Sequence, residues 1–170
     1  MILGMDIFTF VHVALSLIGI AAGIIVFFGF IADGRLPSLT ALFLSTTVLT
    51  SVTGFGFPFT KLLPSHIVGI ISLVVLAAAL YALYGARLSG AWRWIYVVTA
   101  STALYLNVFV LIVQLFLKVP ALHALAPTQA EAPFVAAQAI TMVAFIVLGY
   151  FAVRRFKPGI GAPESGLRSA

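Results

Sequence analysis

The sequence predicts an all-α integral membrane bundle of five transmembrane helices, and three observations carry that prediction. Hydrophobic residues fill 63% of the 170 positions and charged residues only 8%, whereas soluble domains carry about 25% charged residues. A surface so poor in charge has to be solvated by lipid. The apolar residues gather into five runs close to the ~20 residues a helix needs to cross hydrocarbon. Every Lys, Arg, Asp and Glu falls outside those runs, at their ends or in the connections.

The first run is Ile7–Ile31. Its leader, Met1 to Asp6, has no Lys or Arg, and no small-x-small cleavage site follows, so it reads as a retained helix and not as a signal peptide. The second, Leu39–Phe57, is rich in Ser and Thr but free of charge. Two adjoining stripes, Thr46/Thr50/Thr53 and Thr40/Thr47/Ser51/Gly54, suit a central helix or one lining a polar cavity. The third and fourth runs are His66–Gly85 and Trp94–Leu117, with breaks at Asp33 to Pro37, Pro58 to Pro64 and Arg87 to Arg93. The connection Lys118 to Pro133 is longer than the usual 2–8 residues between bundle helices. Its Ala121–Leu125 segment reads as a short interfacial helix. The fifth run is Phe134–Val153, opened either by a Thr128/Glu131 capping box or by Pro133 in the first turn. Residues 1–157 form one transmembrane domain, and the Gly/Pro/Ser-rich 158–170 is expected to be a disordered cytoplasmic tail.

Charge sets the orientation. Arg35, Arg87, Arg93, Arg154, Arg155, Lys157 and Arg168 fall on one side, and only Lys61 and Lys118 join the N-terminus on the other. The positive-inside rule then puts the N-terminus outside and the C-terminus in the cytoplasm. Tyr81, Tyr84, Trp92, Trp94, Tyr96 and Tyr150 cluster toward the same inner ends as interfacial anchors. The expected location is a bacterial cytoplasmic (inner) membrane. The net charge of +5 is a topology signal, since no basic cluster is interleaved with aromatics as nucleic-acid binding requires. With no cysteine, disulfides, thiolate chemistry and Cys-ligated metal centres are excluded.

Polar groups within a bilayer are costly and mark places where function concentrates. Here they gather in the outer half. His12 lies about two turns into the first helix, His66 opens the third, His123 sits in the outer loop, and Gln114, Gln138 and Thr53 reach the same leaflet. Asn107 and Tyr105 lie near the midplane. His12, Ser16, Gly19 and Gly23 share one face within roughly 60°, and Gly19/Gly23 form a GxxxG pattern for close helix packing or dimerisation. The ordinary roles stand beside these. An isolated His in a bundle usually hydrogen-bonds a neighbouring helix, Gln114 and Gln138 suit a mutual bond, and a loop histidine such as His123 is more often solvated than liganding.

Three functional readings follow. The leading one is a cofactor pocket formed by His12, His66, Gln114, Gln138 and Thr53, taking b-type haem on His12 and His66 or a quinone on a single donor. His12, His66 and His123 are also the metal candidates, but they come from separate segments with no short-range ligand spacing. The alternative is a non-catalytic accessory or assembly subunit, bound to a membrane-protein partner or to a second copy through Gly19/Gly23. A transporter or channel is the least supported, because the spans hold no charge. With neither a nucleophile elbow nor a phosphate-binding glycine loop, the reading leans away from an enzyme.

Overall fold

The computed structural model describes residues 6–57 and 64–157. The leader Met1–Met5, the Pro58–Leu63 connection with Lys61, and the expected tail 158–170 with Arg168 lie outside the described residues. Six α-helices make up the described chain, with no strand among the described residues. They are α1 (Ile7–Ile31), α2 (Pro37–Gly54), α3 (Pro64–Leu80, continued by a π-helical turn Tyr81–Gly85), α4 (Trp92–Lys118), the short α5 (Pro120–Leu125) and α6 (Ala132–Arg155). Four segments are long and apolar enough to cross a membrane: Ile7–Ile31, His66–Gly85, Trp92–Lys118 and Ala132–Arg155. Helix α2 is not among them, because its Ser and Thr residues dilute its apolar content.

Local chemistry explains the helix limits. Asp6 caps α1, its carboxylate accepting the Thr9 backbone N–H at 2.9 Å and the Thr9 hydroxyl at 2.8 Å. At the other end Asp33 adopts φ 54°, and the chain turns back through Asp33 N–H to Phe30 O and Gly34 N–H to Gly29 O. That is a Schellman closure with Asp in the place glycine usually takes. Pro37 starts α2 within its first turn, and Pro120 does the same for α5. For α6 the structure selects the proline alternative. Glu131 is the cap residue and Pro133 lies in the first turn, while the Glu131 carboxylate reaches back to the Thr128 N–H (3.2 Å) and hydroxyl (2.9 Å).

Helix α4 is the hub, contacting α1, α2, α3, α5 and α6. Helix α2 packs most extensively on α1, then on α3 and α4, so it sits inside the bundle as its hydroxyl stripes suggest. Small residues set the distances. A Cβ at Gly19 would lie 3.0 Å from Thr46 Oγ1, and one at Gly23 would lie 2.6 Å from Leu104 Cδ1 and 2.8 Å from Phe43 Cδ2. The Gly19/Gly23 face is therefore occupied within the chain, holding α1 against α2 and α4. The apolar core concentrates toward the C-terminal end of α1, where Phe30, Phe43, Leu76, Tyr96, Val97 and Phe156 are buried. Helix α6 is peripheral: it touches α4 and α1, and Ala152 is its one buried described residue.

Candidate functional site

At the N-terminal end of α1, His12 Nδ1 lies 2.8 Å from Thr53 Oγ1 on α2. The Thr53 hydroxyl is also 2.7 Å from the Leu49 carbonyl and 3.2 Å from that of Thr50. A hydroxyl has one proton: with that proton on the Leu49 carbonyl, Thr53 Oγ1 accepts from His12 Nδ1–H and Nε2 presents a lone pair, and with it on Nδ1 the hydrogen of the ring sits on Nε2. Gly54 faces the ring, and a Cβ added there would come within 3.8 Å of His12 Cε1. The Phe57 ring meets His12 edge-on at 5.0 Å and is itself packed edge-on by Phe8 at 5.0 Å.

His66 opens α3 on the other flank of α2 and is 5% exposed. Its ring lies 5.8 Å from that of Phe55 at 31°, and Gly69, a turn further on, leaves room for the same phenylalanine. The turn Gly54-Phe55-Gly56-Phe57 that ends α2 thus places one aromatic ring on each histidine. The pairing of these phenylalanines with His12 and His66 comes from the turn geometry.

The other expected members are dispersed. Gln138 donates from Nε2 to the Phe109 carbonyl of α4 at 3.2 Å, and its Oε1 is buried without a partner. Gln114 is exposed, and the expected Gln114–Gln138 bond does not form: the Gln138 amide is taken by a backbone carbonyl of α4 and its Oε1 has no partner among the described residues. His123 is exposed, in line with a solvated loop histidine, and its Nδ1 lies 3.2 Å from the Phe116 carbonyl of α4. Gln129, which no sequence pattern singles out, adopts φ 59° and donates to the Val113 carbonyl at 2.9 Å. No three His, Cys, Asp or Glu side chains gather closely enough to hold a metal ion among the described residues.

Deeper in the bundle, Asn107 Nδ2 donates to Thr47 Oγ1 at 3.3 Å, and Ser51 donates to Ser72 at 3.2 Å, both pairs buried. These bonds tie α2 to α4 and α3. Outside the apolar segments, the Asp6 carboxyl is held below its ordinary pKa, first by the Thr9 backbone N–H and then by the Thr9 hydroxyl. For Glu131, desolvation pushes the pKa up, but the hydrogen bonds from its own N–H, Thr128 and Ala130 together outweigh it and lower the value.

No protein-family model, curated protein or solved structure matches this chain. Its composition and fold nevertheless define a class: a helical membrane protein with four helices able to cross a bilayer. Within that class, its particular features are the His12–Thr53 pair and the aromatic turn that meets both His12 and His66.

Proposed function

We propose that this protein is a five-span membrane protein, N-terminus outside and C-terminus cytoplasmic, that binds a quinone-class lipid at His12 in the outer leaflet of a bacterial inner membrane. One observation carries the binding assignment: His12 Nδ1 is engaged by the Thr53 hydroxyl at 2.8 Å, which leaves Nε2 as the ring nitrogen for a ligand, and as an acceptor when the hydroxyl proton lies on the Leu49 carbonyl. A quinol O–H needs such an acceptor at the depth where its ring enters the bilayer. The Phe8 and Phe57 rings beside it supply an aromatic surface for a flat head group. The packing of α2 against α1, α3 and α4 supports reading it as the fifth span, because its hydroxyls then meet other helices and not lipid.

The same Nδ1–H bond is the type that orients an imidazole ligand on a metal, so b-type haem on His12, with His66 as the second ligand, is the other reading. One preparation separates them. Full-length protein purified with its native lipids is expected to yield about one quinone per chain on extraction, to lose it in His12→Ala, and to keep much of it in His12→Gln, whose amide oxygen restores an acceptor near Nε2. A Soret band would instead establish haem. Absence of both, or equal quinone content in His12→Ala, overturns the assignment, and a membrane protein copurifying in fixed ratio would then favour the accessory-subunit alternative.

A further inference from the structure

The opposite end of the bundle holds a cavity of about 260 Å³ that belongs to neither histidine. Its walls are apolar and aromatic, from Val26 and Phe30 of α1, Leu83 and Tyr84 of the π-helical turn, Leu88, and Phe156. Its polar features are few and converge. Thr40 and Tyr96 line it, and both are buried. Arg35 lines it from the α1–α2 connection, exposed to the surroundings, and among the described residues no side chain pairs with its guanidinium. The cavity also adjoins the start of α2, where the cap residue Leu36 offers no side-chain oxygen.

The frame of this cavity is unusual in the chain. The π-helical turn replaces the last α-turn of α3, closing through Ala86 N–H to Tyr81 O at 2.8 Å and Leu88 N–H to Ala82 O at 2.9 Å. Arg87 and Leu88 then take φ 50° and 59°, and Asp33 across the cavity takes 54°. Strained residues and π-turns concentrate at ligand sites. These elements are locked in place from outside the cavity. The Asp33 carboxylate accepts the Lys157 N–H at 2.6 Å, and Arg93 donates to the Val153 carbonyl at 3.4 Å and to that of Phe156. Arg93 is thus occupied by backbone, whereas Arg35 is left for a ligand.

From these features we infer that the Arg35 cavity binds the phosphate head group of an anionic membrane phospholipid, with the first part of an acyl chain against Phe30, Leu83 and Phe156. A guanidinium forks onto phosphate oxygens bidentately. The apolar wall selects an amphiphile over a free anion, and the position at the end of the membrane-crossing helices matches head-group depth. Arg35 belongs to the basic end of the molecule, and anionic lipids concentrate in the leaflet that such ends face.

The test uses the full chain in a mild detergent, with binding followed by native mass spectrometry and by thermal shift. The probes are short-chain phosphatidylglycerol, phosphatidylcholine with the same chains, and inorganic phosphate. Phosphatidylglycerol is expected to bind and raise Tm, phosphatidylcholine to bind more weakly, and phosphate to have no effect. Arg35→Gln should weaken phosphatidylglycerol roughly tenfold, the loss expected for a charge-assisted bond, while Arg35→Lys retains part of the binding. Arg155→Gln, which removes an exposed cation at the same end without touching the cavity, should leave it unchanged. Equal losses in Arg35→Gln and Arg155→Gln would reduce the effect to surface charge and overturn the site. Equal binding of the two lipids would overturn recognition of the anion, and protection by inorganic phosphate would reassign the cavity to a soluble ligand.

Discussion

His12 shows how much one hydroxyl can decide. The Thr53 O–H turns either to the Leu49 carbonyl or to His12 Nδ1, and that rotor sets which imidazole nitrogen is protonated and what the ring can offer a ligand. Binding of a quinol O–H at Nε2 needs the first arrangement, so in protein labelled with ¹⁵N-histidine Nδ1 of His12 should resonate as the protonated nitrogen and Nε2 as the unprotonated one, and Thr53→Val should convert this pattern into a tautomer mixture. A wild-type spectrum with Nε2 protonated would overturn the acceptor role of His12. Two glycines make a second comparison at this scale. Gly23→Ala would bring a methyl within 2.6 Å of Leu104 and 2.8 Å of Phe43, both buried, and should destabilise the bundle by about 1–3 kcal/mol, the range for overpacking a core. At Gly149 nothing lies within 4 Å of an added Cβ. Gly149→Ala should thus be neutral or stabilise by roughly 0.5–1 kcal/mol through helix propensity. Thermal denaturation of the two variants in one detergent checks the contrast.

At the scale of elements, the helices differ in how they are fastened. Helix α2 carries the polar stripe: Thr46 returns to the Leu42 carbonyl (2.7 Å), Thr47 and Ser51 bridge to Asn107 and Ser72, and Thr50 Oγ1 is buried without a partner among the described residues. Asn107→Ala removes the α2–α4 bridge and should cost about 1 kcal/mol, the scale of interhelical hydrogen bonds in bilayers, read as a fall in denaturation midpoint. Helix α6 has little buried surface of its own, and its C-terminal end is held by Arg93 and Asp33. Arg93→Gln should therefore speed amide exchange in the last turn of α6 more than elsewhere. The α1 cap gives a pH dependence of known sign. Asp6 is more acidic in the folded state than in the unfolded one, so its contribution is fully present above the unfolded value, roughly pH 4, and is lost as pH falls through the lower folded value. Exchange at the first turn of α1, corrected for intrinsic rate, should rise on acidification below about pH 4. Asp6→Asn, which cannot ionise, should show no such rise.

For the whole molecule, the governing fact is its charge asymmetry. Arg35, Arg87, Arg93, Arg154, Arg155 and Lys157 stand at helix ends that meet through the Asp33–Lys157 and Arg93–Phe156 contacts, while Lys118 stands at the other end with α5. A reporter inserted after Gly34 and one fused after Lys157 should both be active only in the cytoplasm, and one inserted after Ala126 only outside it. Any split between the first two would break the five-span topology, because the two sites belong to one end of the bundle. The exposed flank of α6, with Ile140 at 70% and Ile146 at 63% exposure, is then a lipid-facing surface, which needs no further partner in a bilayer.

Composition and period alone determined the solvent, the class and the helix limits. Apolar runs of spanning length, interrupted by Pro, Gly and charge, can be satisfied in lipid only as helices. That is why Ile7–Ile31 agrees to the residue and the other limits to within a few. That His12 and His66 lie toward one end of their helices was equally legible, because depth along a helix follows from rise per residue. Partners were not. A stripe of Ser and Thr on α2 says that something polar is met, but which hydroxyl turns to its own carbonyl and which to His12, Asn107 or Ser72 depends on side-chain rotation and helix separation. For the same reason Gln138 found the Phe109 carbonyl and not Gln114. The Arg35 cavity was invisible in sequence: its residues come from α1, the α1–α2 connection, α2, the π-helical turn, α4 and the chain after α6. Empty space is a property of how helices pack, and only the tertiary structure decides where it is left.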